Sequence, residues 1–249
     1  MNSASEILTA FRRSERAMAE QIAEWESLEF GVAFHSSRFS LLPEANQLRD
    51  VWLADVDGPT AFERAEAYYH QRGLKCRMWT PASGQDSQPV ESLMAAKGWK
   101  RIEQSILVLS DRNAASASAN DAVRILPARA MRKAYRSTFD ESSDEGKQQA
   151  EAAIERLDDS DLDAFVAMVD GKPAGRFSYL SVGDVARLSD LRVLLDFESG
   201  TVAGTLVHHA LQLARRMSPK VIVARETDGA HMERLGFTQA GCDVCFLAA

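Results

Sequence analysis

Leu191-Arg-Val-Leu-Leu-Asp-Phe-Glu-Ser-Gly-Thr-Val-Ala-Gly-Thr-Leu-Val207 is the stretch on which the fold turns. Its front belongs to a strand, Val185 to Leu195, in which Val185, Arg187 and Ser189 alternate with Ala186, Leu188 and Asp190. Its back opens a helix over Thr201 to Met217, with Val202, Leu206, Val207, Ala210, Leu211 and Leu213 at apolar positions. Between them, Ser199 to Thr205 carries small side chains at six of seven places. A helix start presents backbone N–H groups with no partner inside the helix, backed by the positive end of its dipole. An anionic diphosphate is held well there, and small residues let it approach the backbone. Thr201 and Thr205 could add hydroxyl donors. The same composition also suits a tightly packed strand-to-helix turn, so residues alone leave a diphosphate cradle and close packing both open.

Working outward, Val123 to Pro127 reads as a short strand, and Arg129 to Phe139 and Gly146 to Leu157 as helices. Ala164 to Val169 and Ala174 to Val182 form a hairpin around the turn Asp170-Gly-Lys-Pro173. Downstream come a buried strand, Lys220 to Ala224, a short helix from Gly229 to Leu235 stopped by Gly236, and a last strand from Thr238 to Leu247. Antiparallel hairpins followed by a βαβ crossover make a mixed-sheet α/β (α+β) domain.

The first half echoes the end of this pattern. Glu29 to His35 and Leu48 to Leu53 read as strands, Pro59 to Arg72 as a helix closed by Gly73, and Leu74 to Trp79 as a strand. Leu93-Met-Ala-Ala-Lys-Gly-Trp99 matches Met232-Glu-Arg-Leu-Gly-Phe237: a short helix, a glycine, an aromatic, then a strand. The repetition indicates a duplicated fold. Ser110 to Asp121 is small and polar and cannot offset the entropy cost of ordering by burial. It reads as a linker. The expected organisation is therefore residues 1–110, opened by an amphipathic helix with Ser3 or Ser5 as N-cap, a linker over 111–121, and a second domain over 122–249.

The formal net charge of −7 argues against a basic nucleic-acid-binding surface. No apolar run approaches the roughly 20 residues that span a bilayer, and no signal-peptide core opens the chain. The expectation is a soluble, cytoplasmic protein with no membrane and no nucleic-acid partner. Cys76, Cys242 and Cys245 are too few for a disulfide scaffold. Cys242 and Cys245 lie three apart on a strand and point to opposite faces, so no metal site is expected from them. His208 and His209 diverge by about 100° on a helix and are no metal pair either.

With these elements in order, the segment Leu191 to Val207 resembles the acetyl-CoA-binding motif of the GNAT superfamily of N-acetyltransferases. That motif is a strand, a loop of the form Arg/Gln-x-x-Gly-x-Gly/Ala, and a helix. Glu198 falls at the Arg/Gln position, Thr201 at the first Gly and Ala203 at the Gly/Ala position, with Val193, Asp196, Phe197 and Leu206 fitting the flanks. Leu235-Gly236-Phe237 looks like the family's Gly-Phe signature. The resemblance covers about residues 123–247 well and 28–109 loosely, so it implies two GNAT-like domains in tandem, the first degenerate. Ala54 to Thr60 in the first half is acidic and would repel a pyrophosphate.

The resemblance implies acetyl transfer from acetyl-CoA, as co-substrate, to an amine of a small molecule or peptide. Ser199, Gly200, Thr201, Val202, Ala203, Gly204 and Thr205 would cradle the pyrophosphate. Leu191, Arg192 and Val193 would present backbone N–H groups to the acyl carbonyl. Asp190 would be the general base, or else an exposed strand carboxylate. The family's acid, a tyrosine, is replaced by Met232, which leaves His231 as the titratable neighbour. Glu198, Thr201 and Met232 depart from the family pattern. They keep open an inactive acyl-CoA-binding or sensing module, or a scaffold, with a homodimer possible.

Overall fold

The computed structural model describes residues 3–84, 86–109, 119–197, 199–225 and 236–248. The linker reading over 111–121, the short helix before Gly236, and Glu198, His231 and Met232 fall wholly or mostly outside them. The chain divides into two compact units, Met1–Glu15 with Ser105–Cys242 and Arg16–Gln104 with Asp243–Ala249. These units are not the two sequence halves. The start of the first helix and the end of a first-half strand join the second half, and the last residues of the chain join the first.

The first unit is built on a sheet of β5 (Lys100–Leu109, from Ser105 onward), β10 (Val221–Arg225), β9 (Val185–Val193), β8 (Lys172–Val182), β7 (Leu162–Val169) and β6 (Val123–Pro127), in that spatial order. β6 to β9 are antiparallel neighbours, β10 runs parallel to β9, and β5 returns antiparallel to β10. The hairpin between β7 and β8 turns at Asp170 and Gly171, both with positive φ. Helix α6 (Ser199–Met217) crosses over from β9 to β10. It buries Val202, Leu206, Val207, Ala210 and Leu211 against Phe165, Ala167, Phe177, Tyr179, Leu188 and Leu191. The opposite face of the sheet is covered by α1 (Ala4–Glu20), α4 (Arg132–Arg136) and α5 (Asp144–Arg156). α1 opens with a capping box in which Ser3 and Glu6 exchange side-chain-to-backbone bonds of 3.2 and 2.7 Å. Its Ile7, Ala10 and Phe11 pack on Ile106, Val185, Val221 and Val223.

The second unit repeats the central theme. β1 (Glu24–Leu28), β2 (Gly31–His35) and β3 (Gln47–Val51) are antiparallel, α2 (Gly58–His70) crosses over, and β4 (Met78–Pro81) lies parallel to β3. α3 (Gln88–Ala96) follows. The closing strand is the end of β11 (Phe237–Leu247), pairing Phe246 with Trp79 and Leu247 with Met78. Trp79, Tyr69, Met94 and Phe246 fill its core. Tyr69 donates its hydroxyl proton among the carbonyls of Phe34 and Gln47, at 3.0 and 2.7 Å, and burial lifts its pKa far above the ordinary value.

Candidate functional site

The register between β8 and β9 decides the site. Arg176 pairs with Arg192 and Ser178 with Ser189, so Asp190 and Leu191 together face the single residue Phe177. This is a β-bulge, and Asp190 occupies its left-handed corner at φ 58°. Simple alternation would put Asp190 on the face of Ala186 and Leu188. The extra residue instead brings Leu191 onto that face, where it is buried beside α6, and turns Asp190 to the other.

There Asp190 meets Arg176. The guanidinium donates from Nε to Oδ2 at 2.5 Å and from Nη2 to Oδ1 at 2.8 Å, a two-pronged grip. Nη1 of the same arginine donates to the Thr138 carbonyl, and the Phe139 ring lies 3.8 Å from its central carbon. Arg176 is buried, whereas the Asp190 side chain is 29% exposed. Tyr135 of α4 is buried beside them. Burial, and after it the Asp190 charge, hold its phenol well above the ordinary pKa. On this face a groove of about 470 Å³ is lined by Met131, Arg132, Lys133, Ser137, Met168 and Pro173, among others.

The strands part before the bulge is reached. Among the described residues the β9–β10 register ends at Arg187 and Val223, while β9 continues to Val193. Leu191, Arg192 and Val193 thus lie on a length of β9 with no register to β10. Close packing on the other side fixes its path: a Cβ on Gly175 would stand 2.5 Å from the Arg192 carbonyl oxygen and 3.1 Å from Leu206.

α6 begins at Ser199, shortly past this strand. Its first amides have no partner within the helix. A Cβ built on Gly200 meets nothing within 4 Å among the described residues, so the helix is open at that position. Val202 and Ala203 are buried, Val202 in the core that α6 forms with the sheet. Thr205 turns its hydroxyl inward: Oγ1 donates to the Thr201 carbonyl at 3.0 Å and accepts from the Asn120 amide at 3.2 Å. Thr205 is therefore spent on structure. The remaining cradle residues, Ser199, Gly200, Thr201 and Gly204, lie on the first turns of the helix.

The second unit shows the contrast. Asp50 in β3 also has positive φ, at 52°, beside a register shift between Leu48 and Val51. At the start of α2, however, Asp57 caps the helix with its own carboxylate, accepting from the Thr60 amide at 3.0 Å, and Leu93 lies 3.4 Å from where a Cβ on Gly58 would stand. Hydrogen bonding with Thr60, from its side chain first and its amide second, holds the Asp57 carboxyl below its ordinary range. A built-in anion already occupies this helix start, as the acidic sequence there implies.

Among the described residues no three of His, Cys, Asp and Glu stand together as a metal site. Cys245 is buried and Cys242 exposed. Sequence reading overlooked Arg176, Arg187 and Glu15, although each left a trace: a charge inside an otherwise apolar strand or on a helix's apolar stripe.

Antiparallel hairpins, a βαβ crossover and a strand running into a helix start are the arrangement that the GNAT resemblance implies. Comparison of structures agrees. The chain superposes on a GCN5-related N-acetyltransferase from Kribbella flavida with a TM-score of 0.65, at 12% identity, over 100% of this chain and 97% of that one. A GCN5-related N-acetyltransferase-like protein from Streptococcus suis gives 0.56 at 10% identity, over 97% and 99%. A tandem GNAT protein from the clavulanic acid biosynthesis pathway gives 0.52 at 16% identity, over 76% and 69%. No family model and no curated protein matches the sequence. The chain has the GNAT fold. Among the described residues no helix is long and apolar enough to cross a membrane.

Proposed function

We propose that this protein transfers an acetyl group from acetyl-CoA to the amine of a small molecule or peptide. One observation carries the reading: past Arg187 no β9–β10 register is described, the bulge at Asp190 and Leu191 lies on that unpaired length of β9, and α6 begins shortly after it, with no described atom within 4 Å of a Cβ on Gly200. The pyrophosphate is assigned to the amides of Ser199 to Val202. The acyl carbonyl is assigned to the backbone N–H groups of Leu191 and Val193, which can stabilise charge developing on its oxygen. The amine nitrogen attacks the carbonyl carbon, the C–S bond breaks, and the thiolate leaves. The amine's proton is assigned to Asp190, directly or through water. Arg176 fixes that carboxylate while leaving lone pairs on both oxygens. His231 is the candidate to protonate the thiolate. The amine would approach from the face of α4.

A second reading, a module that binds acyl-CoA without turnover, is favoured by the same grip: both Asp190 oxygens are already hydrogen-bonded to Arg176. Titration calorimetry with acetyl-CoA, followed by thiol release over a panel of amines, separates them. Heat with release supports transfer. Heat without release on any amine supports the binding module. Absence of heat at millimolar acetyl-CoA sinks both and leaves a scaffold.

A further inference from the structure

The helix that precedes both repeats places a carboxylate where β9 and β10 part. Glu15 lies on the apolar stripe of α1, one turn after Phe11, and is 6% exposed. Its Oε1 accepts from Nη1 of Arg187 and, at 3.0 Å, from Nε of Arg225. Its Oε2 accepts from Nη2 of Arg225. Arg187 is the last β9 residue in register with β10, and Arg225 lies two residues past its partner Val223. The Phe11 ring supports both guanidiniums, 5.5 Å from Arg187 and 6.0 Å from Arg225. A helix that served only to cover the sheet would present an apolar side chain here. Burying a carboxylate with two guanidiniums is costly and gains little stability over an apolar replacement. What the arrangement supplies is geometry, because one group holds two strands at a fixed separation.

We propose that Glu15 is a positioning residue of the acyl-transfer site, clamping Arg187 of β9 to Arg225 of β10 and so setting the width of the gap that receives the acetyl-CoA arm. The inference rests on the acetyl-transfer reading above. Glu15→Gln keeps Oε1 for Arg187 and for Nε of Arg225 but puts an amide N–H against Nη2, so it loosens the β10 side. Arg225→Gln loosens the same side and leaves Glu15 paired to Arg187, which keeps the fold if the first variant should fail. Calorimetry with acetyl-CoA on the full chain should show each variant weakening binding about tenfold, and the double variant no further, because both break one clamp. In turnover, KM for acetyl-CoA should rise more than kcat falls. Arg13→Gln, on the same helix as Glu15, breaks the outer pair to Asp184 in the β8–β9 turn and should leave affinity unchanged. If Glu15→Gln and Arg225→Gln lower the melting temperature while acetyl-CoA affinity stays at the wild-type value, the clamp is structural only and the proposal is overturned. If the wild type itself binds no acetyl-CoA, the acetyl-transfer reading has failed first.

Discussion

Leu188 and Leu191 face the same core, each 4% exposed, although they stand three positions apart on one strand. Only the bulge between them reconciles that spacing with a period of two. The corner of the bulge is Asp190, and strain and charge at this position can be told apart. Asp190→Gly should relieve the left-handed φ but strand Arg176 without its carboxylate. Asp190→Asn should tolerate the φ and lose only the charge. Both should destabilise the fold, by about 2–4 kcal/mol in chemical denaturation, because a buried guanidinium loses its partner. If Asp190 accepts the proton, Asn should also lower kcat at temperatures where the variant is fully folded. An unchanged kcat would reassign the base.

The open turn at Gly200 makes opposite predictions for stability and for binding. Gly200→Ala adds a Cβ with no described atom within 4 Å to the first turn of a helix, so it should stabilise, by at most about 0.5–1 kcal/mol. Gly200→Glu should fold equally well but place a negative charge over the first-turn amides. Acetyl-CoA affinity should fall at least about tenfold, from lost dipole attraction and direct repulsion. Thermal melts and calorimetry on the two variants check both halves. Equal affinity in Gly200→Glu would move the cradle elsewhere.

Gly175 tests the packing that fixes the path of β9. A Cβ there would meet the Arg192 carbonyl at 2.5 Å, and a backbone atom in a paired strand cannot step aside cheaply. Gly175→Ala should cost about 1–3 kcal/mol, the usual range for overpacking. It should also weaken acetyl-CoA binding more than its stability loss alone explains, since Arg192 and Val193 would shift. A variant with wild-type melting temperature would show that the strand yields freely.

Much of the second half is legible in sequence because each element carries its own period: two in β7 to β9, 3.6 in α6. β1 escapes because Glu24-Trp-Glu-Ser-Leu28 is exposed along nearly its whole length and shows no apolar alternation. The strand expected from Leu74 begins instead at Met78. Leu74 is apolar for a different reason: its amide bonds to the Tyr69 carbonyl past Gly73, and its side chain packs where a helix cap needs a hydrophobic contact. The bulge is invisible because it is a property of the β8–β9 pair, not of either strand. Arg176 and Glu15 owe their places to partners 14 and 172 positions away, which no local pattern encodes.

The same non-local logic governs what can fold alone. The first unit needs Ile106, Leu107 and Leu109 of β5 and Ile7, Ala10 and Phe11 of α1, all from before residue 110. Residues 119–249 by themselves should therefore expose the faces of Val185, Val221 and Val223 and melt without a cooperative transition in calorimetry. In the full chain Phe11→Ala, at a fully buried site, should cost about 3–5 kcal/mol. A cooperative melt from 119–249 would mean that the sequence halves are independent after all.

His209 supplies a pH dependence with a definite sign. It sits on α6 against Phe165, with ring centroids 4.7 Å apart, and near Phe177 at 6.1 Å. Burial lowers its pKa below the ordinary 6.5, and the charges of Arg216 and His208 push the same way. On acidification the unfolded chain therefore takes up this proton before the folded one does, and stability declines as pH falls below about 6.5. The loss levels off once the folded-state pKa is passed. His35, whose pKa is also lowered chiefly by burial, adds a slope of the same sign. The shifted carboxylates Asp57, Asp140, Glu141, Asp144 and Asp184 act only at lower pH, because their ordinary values are 4.5 or less. The difference between wild type and His209→Phe isolates the one imidazole, since a phenyl ring keeps the aromatic contacts and removes the proton. Urea midpoints measured from pH 7.5 to 5 should fall less steeply in the variant. Parallel curves would show that His209 stays solvated enough to titrate alike in both states.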